Sequence, residues 1–355
     1  MATHDIIVIG ASAGGVEAIS TLVSELPRDL RASVLVVLHL SRGRSLLPEI
    51  LTRAGRLPAH HPLDGEPLQY GRIYVAPPDQ HMTLERDTIR VLHGPSENGV
   101  RPAVDPLFRS AARIYGPRVV GIVLTGSLDD GTAGLAAVKE AGGIAVVQDP
   151  DEAFSPSMPR SAMAAVHPDH VLPVREIGLL VRNVVLEDTE ERAARTGPHV
   201  QQMEPDLGRP PIALGPQDRP GAVSVFSCPE CHGVLWEAEG GGLLRFRCRV
   251  GHVYSPESMV AAQTDSVDRA LWAALRSLEE RAALTRKLSV RARGREQNWI
   301  ARAFEERSKA AAEHAAIVRD LLNNRTTGHS VPDYALHDEA PDPPPVSGQP
   351  EKKTQ

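Results

Sequence analysis

A chain of 355 residues, 41% hydrophobic and 24% charged, is long enough for two folded units and has the balance of a water-soluble globular protein. A formal net charge of −6 withholds the basic footprint of a nucleic-acid-binding protein, and no apolar run approaches the roughly 20 residues of a membrane helix. The start, "MATHDIIVIG", lacks the basic region and cleavage site of a signal peptide, so the expectation is a cytoplasmic protein with no nucleic-acid partner and no membrane insertion.

From residue 5 to about 185, short β-branched runs alternate with helical patterns. That rhythm predicts an α/β fold, a doubly wound and mainly parallel sheet flanked by helices. The expected strands are Ile6–Gly10, Ser33–His39, Arg72–Ala76, Val119–Thr125, Ile144–Gln148 and His170–Val174. The expected helices lie near Val16–Leu26, Ser45–Arg53, Ala103–Tyr115, Thr132–Ala141, Pro159–Ala165 and Ile177–Val185. One hairpin, "MTLERDTIRVLHG", interrupts the pattern. Residues 187–222 lose all periodicity and fill with Pro, Gly and charge, which predicts a disordered linker. A compact Cys/His segment follows over 223–256, and a helical hairpin is expected over 257–325. Its apolar positions are Val267, Leu271, Ala274, Leu275, Leu278, Ala282 and Leu288, then, after a break at Gly294, Trp299, Ala303, Phe304, Ile317 and Leu321. The stripe serves either as the core of the hairpin or as a dimer seam through the C-terminal helices. The Pro-rich tail over 326–355 is expected to be disordered.

Three motifs compete for "IGASAGG" in "DIIVIGASAGGVEAI". A dinucleotide fingerprint needs glycine where Ser12 stands and an acidic residue after the second strand, where His39 stands. A P-loop needs a Lys-Ser/Thr pair that is missing. "GASAG" does match G-x-S-x-G, the sharp strand-to-helix turn that lifts a serine hydroxyl above a sheet. Taken alone, Ser12 equally suits a helix N-cap. Its company is more informative: His39 ends the next strand and "VVGIVLTGSLDDG" ends a third with Asp129 and Asp130. Functional groups of an open parallel sheet gather at the C-terminal strand ends. A hydroxyl there becomes a nucleophile when an imidazole takes its proton and a carboxylate orients that imidazole. Amides from Ala13 onward suit an oxyanion. The order Ser12, His39, Asp130 differs from that of the α/β-hydrolases.

"IIVIGASAGGVEA", "VVLHLSRG", "IYVAPPDQHM", "RPAVDPLFRSAA", "GIVLTGSLDDGTAGL" and "MPRSA" resemble, in order, the catalytic domain of the CheB chemotaxis protein-glutamate methylesterases, over roughly residues 3–186. The resemblance implies hydrolysis of glutamyl methyl esters on methylated chemoreceptors, in their cytoplasmic signalling domains, and deamidation of receptor glutamines, with no cofactor for catalysis. It makes Ser12 the nucleophile, His39 the base and Asp130 the orienting acid. His81, in "PPDQHM", either borders the site or is a buried structural histidine. The family's N-terminal receiver domain does not precede the first motif, so a separate regulatory partner is expected in its place. "GSLDDG" carries Ser127 and Leu128 where the family pattern has Met and Gly. That departure raises an alternative, a catalytically inactive adaptor that docks receptors.

"CPECHGVLWEAEGGGLLRFRCRVGH" holds all three cysteines. Cys228 and Cys231 form a C-x-x-C knuckle, and Cys248 with His252 forms a second pair across a Gly-rich hairpin. Four N/S ligands suit a closed, structural Zn²⁺ site of the zinc-ribbon kind. A segment this small takes its folding energy from the metal. His232 is a rival fourth ligand with poor chelate geometry next to Cys231.

Overall fold

The computed structural model of the chain describes residues 4–39, 43–185, 221–240 and 242–326. The expected linker, except its last two residues, and the expected tail beyond residue 326 lie outside the described residues. Contacts divide the chain into two compact units, Met1–Ser266 and Val267–Gln355.

In the first unit a seven-stranded sheet contains β1 (Ile6–Ala11), β2 (Ser33–Leu38), β3 (Ala59–His60), β5 (Arg72–Val75), β8 (Val119–Val123), β9 (Ile144–Gln148) and β10 (His170–Leu172). Its order is β10-β9-β8-β1-β2-β5-β3, and every pairing is parallel. Both faces are covered, so strands such as IIVIGA and SVLVVL are buried along their whole length, as expected of a parallel sheet packed on two sides. Alternate side chains feed two cores. Ile7, Ile9, Val34, Val36 and Ile122 meet α1 (Gly15–Ser24), α2 (Leu47–Ala54) and α6 (Val174–Val184). Val8, Leu35, Val37 and Val123 meet α3 (Val104–Tyr115), α4 (Thr132–Glu140) and α5 (Ser157–Val166). The expected hairpin is β6 (His81–Glu85) with β7 (Thr88–Leu92), joined by the two-residue β4 (Glu66–Pro67). β3 and β4 are too short to leave a periodic signal in the sequence. After β1 and β2 the chain builds outward to β5 and β3, then returns to β8 on the other side of β1. The switch point therefore lies between β1 and β8, where clefts of such sheets form.

The same unit includes a four-stranded antiparallel sheet of β11 (Ala222–Ser227), β12 (Val234–Gly240), β13 (Leu243–Cys248) and β14 (Val253–Tyr254), in that order. Its core is Cys228, Leu235, Phe246, Cys248, Tyr254 and Met259.

The second unit is a hairpin of two long helices, α7 (Pro256–Arg293, which starts in the first unit) and α8 (Asn298–Thr326). The break at Gly294 falls where the sequence puts it. The Ser289–Ala301, Ala282–Ser308 and Glu279–Arg319 contacts show the helices to be antiparallel. The seam differs from the expected stripe. Leu275, Ala315 and Leu322 are buried with Leu271, Leu278 and Val318 against them, whereas Val267, Trp299, Ile317 and Leu321 are exposed. Two helices bury only a narrow stripe of each other, and small residues let them approach, so several apolar positions of the stripe stay outside it.

Candidate functional site

Ser12 follows directly on β1 and His39 directly on β2. The register pairs Ala11 with Leu38, so Ser12 and His39 are the first residues past the ends of two neighbouring strands, which run about 4.8 Å apart. The His39 amide donates to Ala11 O at 3.2 Å. The Ser12 turn is tied from the other side as well. Its amide donates to Thr125 O at 2.9 Å, just past the end of β8, and Thr125 Oγ1 donates to Ala13 O at 2.8 Å. Gly14 caps α1 at φ 74, a left-handed conformation that costs a side-chain-bearing residue about 1 kcal/mol or more. Gly126 must be small: a Cβ there would lie 2.0 Å from Met158 Sδ and 2.8 Å from Ser12 Cβ. Among the described residues, the amides of Ala13 and Gly14 have no backbone carbonyl partner, so the start of α1 offers two donors beside the hydroxyl.

The third loop brings Asp130 to His39, with His39 Nε2 and Asp130 Oδ2 2.7 Å apart. His39's side chain is 15% exposed and that of Asp130 3%. The same Oδ2 accepts the Val104 amide at 2.7 Å, while Oδ1 accepts Asn98 Nδ2 at 3.0 Å and the Asp105 amide at 3.3 Å. Asp130 thus sits at the N-terminus of α3, where exposed amides and the helix dipole favour a negative charge. Burial by itself would raise its pKa. The hydrogen bond and charge of His39, with the Val104 amide, outweigh that and hold the carboxyl below the usual carboxylate range. Asp130 is therefore ionised at neutral pH. A neutral imidazole that donates Nε2–H to this carboxylate keeps its lone pair on Nδ1. The arrangement places a serine hydroxyl, an imidazole and a carboxylate past the strand ends at one rim of the sheet.

Asp129 does not share this role, because it accepts Ser255 Oγ at 2.8 Å instead. Burial, with Glu257 and Asp105 adding to it and the Ser255 hydroxyl opposing, pushes its carboxyl up to about 7. His81 is buried, with Nε2 on Pro95 O at 2.9 Å and Nδ1 accepting the Ala103 amide at 3.3 Å. Both ring nitrogens are used in tying the hairpin to the start of α3, and burial lowers its pKa so that the ring stays neutral. Leu128, where the family pattern has glycine, takes φ 63, the left-handed region that explains the preference for glycine.

Sequence reading assigned no role to Asn98 or to the amides of α3. Both lie in or beside "RPAVDPLFRSAA", and the only signal was their nearness to that motif. Arg245, which meets this region from β13, left no local signal at all.

Cys228, Cys231, Cys248 and His252 come together in the antiparallel sheet, with their four ligand atoms within 4.8 Å of one another. Cys231 Sγ and Cys248 Sγ are 3.6 Å apart, and His252 Nδ1 is 3.6 Å from Cys228 Sγ and 3.4 Å from Cys248 Sγ. A tetrahedron built on metal–sulfur bonds of ~2.3 Å and metal–nitrogen bonds of ~2.05 Å has edges of roughly 3.5–3.8 Å. The donor set and spacing fit Zn²⁺. His252 Nε2 lies 3.0 Å from Glu230 Oε2, the outer carboxylate that commonly orients a ligating imidazole. His232 is not in the cluster and occupies the left-handed turn of the knuckle at φ 58.

Residues 7–181 match the family model described as CheB methylesterase. A relative from Leptospira interrogans, named putative protein-glutamate methylesterase/protein-glutamine glutaminase, is 36% identical over 191 residues, 53% of this chain and 99% of that protein. A relative from Anaeromyxobacter dehalogenans, named protein-glutamate methylesterase/protein-glutamine glutaminase 2, is 38% identical over 181 residues, 51% of this chain and 53% of that one. The crystal structure of the Thermotoga maritima CheB methylesterase catalytic domain superposes with a TM-score of 0.50 at 32% identity, covering 51% of this chain and 98% of that one. No helix among the described residues is long and apolar enough to cross a membrane. With its parallel sheet, its serine turn and a family relative matched over nearly its whole length, the chain belongs to the CheB methylesterase family of carboxylic ester hydrolases.

Proposed function

We propose that this protein removes methyl groups from glutamyl methyl esters of methylated chemoreceptors, with Ser12 as nucleophile, His39 as base and Asp130 as orienting acid. The observation that carries the reading is the 2.7 Å His39–Asp130 contact at the strand end beside Ser12. His39 Nδ1 takes the Ser12 proton as Oγ attacks the side-chain ester carbonyl, and the amides of Ala13 and Gly14 receive the developing oxyanion. The tetrahedral intermediate collapses, the imidazolium gives its proton to the methoxy group, and methanol leaves. Water, deprotonated by the same nitrogen, then attacks the acyl-enzyme and frees the glutamate and Ser12. The same steps on a glutamine side chain release ammonia, in keeping with the paired activities in the relatives' names. Those names support an enzyme over a receptor-docking adaptor.

Cys228, Cys231, Cys248 and His252 hold a structural Zn²⁺ in this reading, one that supplies folding energy to a small core and takes no part in hydrolysis. The test of the esterase is methanol release from a methylated receptor fragment. Ser12→Ala is expected to abolish it, and equal rates in the two proteins would remove the assignment.

A further inference from the structure

The strand that carries Cys248 also carries Arg245, which reaches the neighbours of the catalytic acid. Its guanidinium donates to Glu97 Oε1 at 2.7 Å and to Asp105 Oδ2 at 2.9 Å. Arg109 of α3 holds Glu97 from the other side at 2.7 and 2.8 Å. Glu97 and Asp105 are each 1% exposed. Asn98 joins this cluster to Asp130, because its NH₂ donates to Asp130 Oδ1 at 3.0 Å and to Asp105 Oδ2 at 3.2 Å. Its carbonyl oxygen accepts the Ser255 amide and Ser258 Oγ, each at 3.1 Å. Around that contact the backbones interlock, with the Asn98 amide donating to Val253 O at 2.7 Å and the Val253 amide to Ser96 O at 3.3 Å.

Asp130 therefore shares its burial with two more carboxylates. The titratable and charged groups around it are His39 from the end of β2, His81 from β6, Glu97 and Arg101 from the loop before α3, Asp105 and Arg109 from α3, Asp129 from its own turn, and Arg245 from β13. Burial opposes ionisation of Glu97, yet Arg109 and Arg245 together hold it down to about 2. Burial raises Asp105, with Asp130 and Glu97 adding to the rise and Arg245 opposing it. Remove Arg245 and three buried carboxylates face one fewer guanidinium, with Asp105 Oδ2 left to compete for the Asn98 amide that Asp130 uses.

We propose that Arg245 is a positioning residue for ester hydrolysis: by binding Glu97 and Asp105 it keeps Asp130 ionised and aligned on His39, so the antiparallel sheet is a working part of the active site. The inference rests on the reading of Ser12, His39 and Asp130 as a catalytic triad.

The test uses the full chain and methanol release from a methylated receptor fragment between about pH 5.5 and 9. Arg245→Gln is expected to lower kcat about tenfold or more while KM stays within about twofold, since the residue acts on the chemical step. It is also expected to move the acidic limb of kcat/KM up by about half a pH unit or more, because losing a nearby cation lets the His39–Asp130 pair bind a proton more readily. Arg245→Lys keeps the charge without the two-pronged geometry, and should leave the limb in place with a smaller loss of kcat. Adding Asp105→Asn to Arg245→Gln removes one buried carboxylate yet keeps an oxygen for the Gly134 amide now bound at 2.6 Å. That double variant is expected to recover most of kcat and return the limb, a rescue that a merely structural role does not produce. Wild-type kcat and an unmoved limb in Arg245→Gln, in a protein whose Ser12→Ala form is inactive, overturn the proposal. An active Ser12→Ala form overturns instead the triad reading beneath it. If Arg245→Gln loses the fold of the sheet by circular dichroism, the double variant decides, and failure to recover overturns the proposal.

Discussion

Asp130→Asn changes one oxygen to NH₂ and tests the active site most sharply. The carboxylate accepts four hydrogen bonds and donates none: His39 Nε2 and the Val104 amide on Oδ2, Asn98 Nδ2 and the Asp105 amide on Oδ1. An amide side chain cannot serve both sides. If its NH₂ faces His39, it also points at the Val104 N–H. The imidazole then has to accept at Nε2, which moves its proton to Nδ1 and removes the base. If the NH₂ faces the other way, it opposes Asn98, whose amide is fixed by Ser255 and Ser258 on its oxygen. Each buried hydrogen bond to a charged group is worth roughly 1.5–3 kcal/mol, and a stranded donor costs about as much again. For turnover, holding the wrong tautomer costs about 10³–10⁴ in kcat, or roughly 4–5.5 kcal/mol of barrier. Methanol release from a methylated receptor fragment, with Asp129→Asn as the matched control, measures it. The control is expected within about threefold of wild type, since Asp129 touches Ser255 rather than the imidazole. A kcat for Asp130→Asn within about tenfold of wild type refutes the assignment of Asp130 as the orienting acid.

Gly126→Ala is expected to destabilise the protein by about 1–3 kcal/mol and to reduce kcat, because the added methyl meets Met158 and Ser12; Met158→Ala should restore part of the stability, and a fully active, equally stable Gly126→Ala shows the turn to be slack. Asp129, pushed up to about 7 in the fold, prefers the neutral acid, so its contribution is full below the unfolded value and is lost as pH rises through the folded one. Asp129→Asn removes that loss, which builds up at about 1.4 kcal/mol per pH unit between the unfolded and folded values; its margin in melting temperature over wild type should widen by the equivalent of roughly 2 kcal/mol between about pH 5.5 and 8.5, whereas a margin that does not change with pH contradicts the raised carboxyl. Titrating the thiols with a mercurial in the presence of a chromophoric chelator should release about one equivalent of zinc, and Cys248→Ser should hold none and lose the β11–β14 sheet; a metal-free protein with that sheet intact refutes the structural-metal reading.

Much of the fold was legible because it is written locally. Runs such as IIVIGA and SVLVVL are too apolar for a one-sided strand, and their alternation with helical patterns implies a parallel sheet covered on both faces. G-x-S-x-G marks a turn by its own chemistry, and the C-x-x-C knuckle marks a ligand pair by its spacing. The helical stripe was less legible. Periodicity shows which positions could be buried but not which ones a single partner helix covers, so Trp299, Ile317 and Leu321 stand exposed while Ala315 and Leu322 form the seam.

The sequence by itself determined the element types, the strand ends that Ser12 and His39 follow, the loop that carries Asp130, and the four Cys/His residues, because each depends on neighbours a few positions away. Tertiary structure alone decided that Asp129 turns to Ser255, that His81 uses both ring nitrogens as a strut, and that Arg245 reaches across from β13 to the neighbours of Asp130. The physical reason is that a buried charge is governed by whatever groups surround it in space, and those around Asp130 come from segments far apart along the chain.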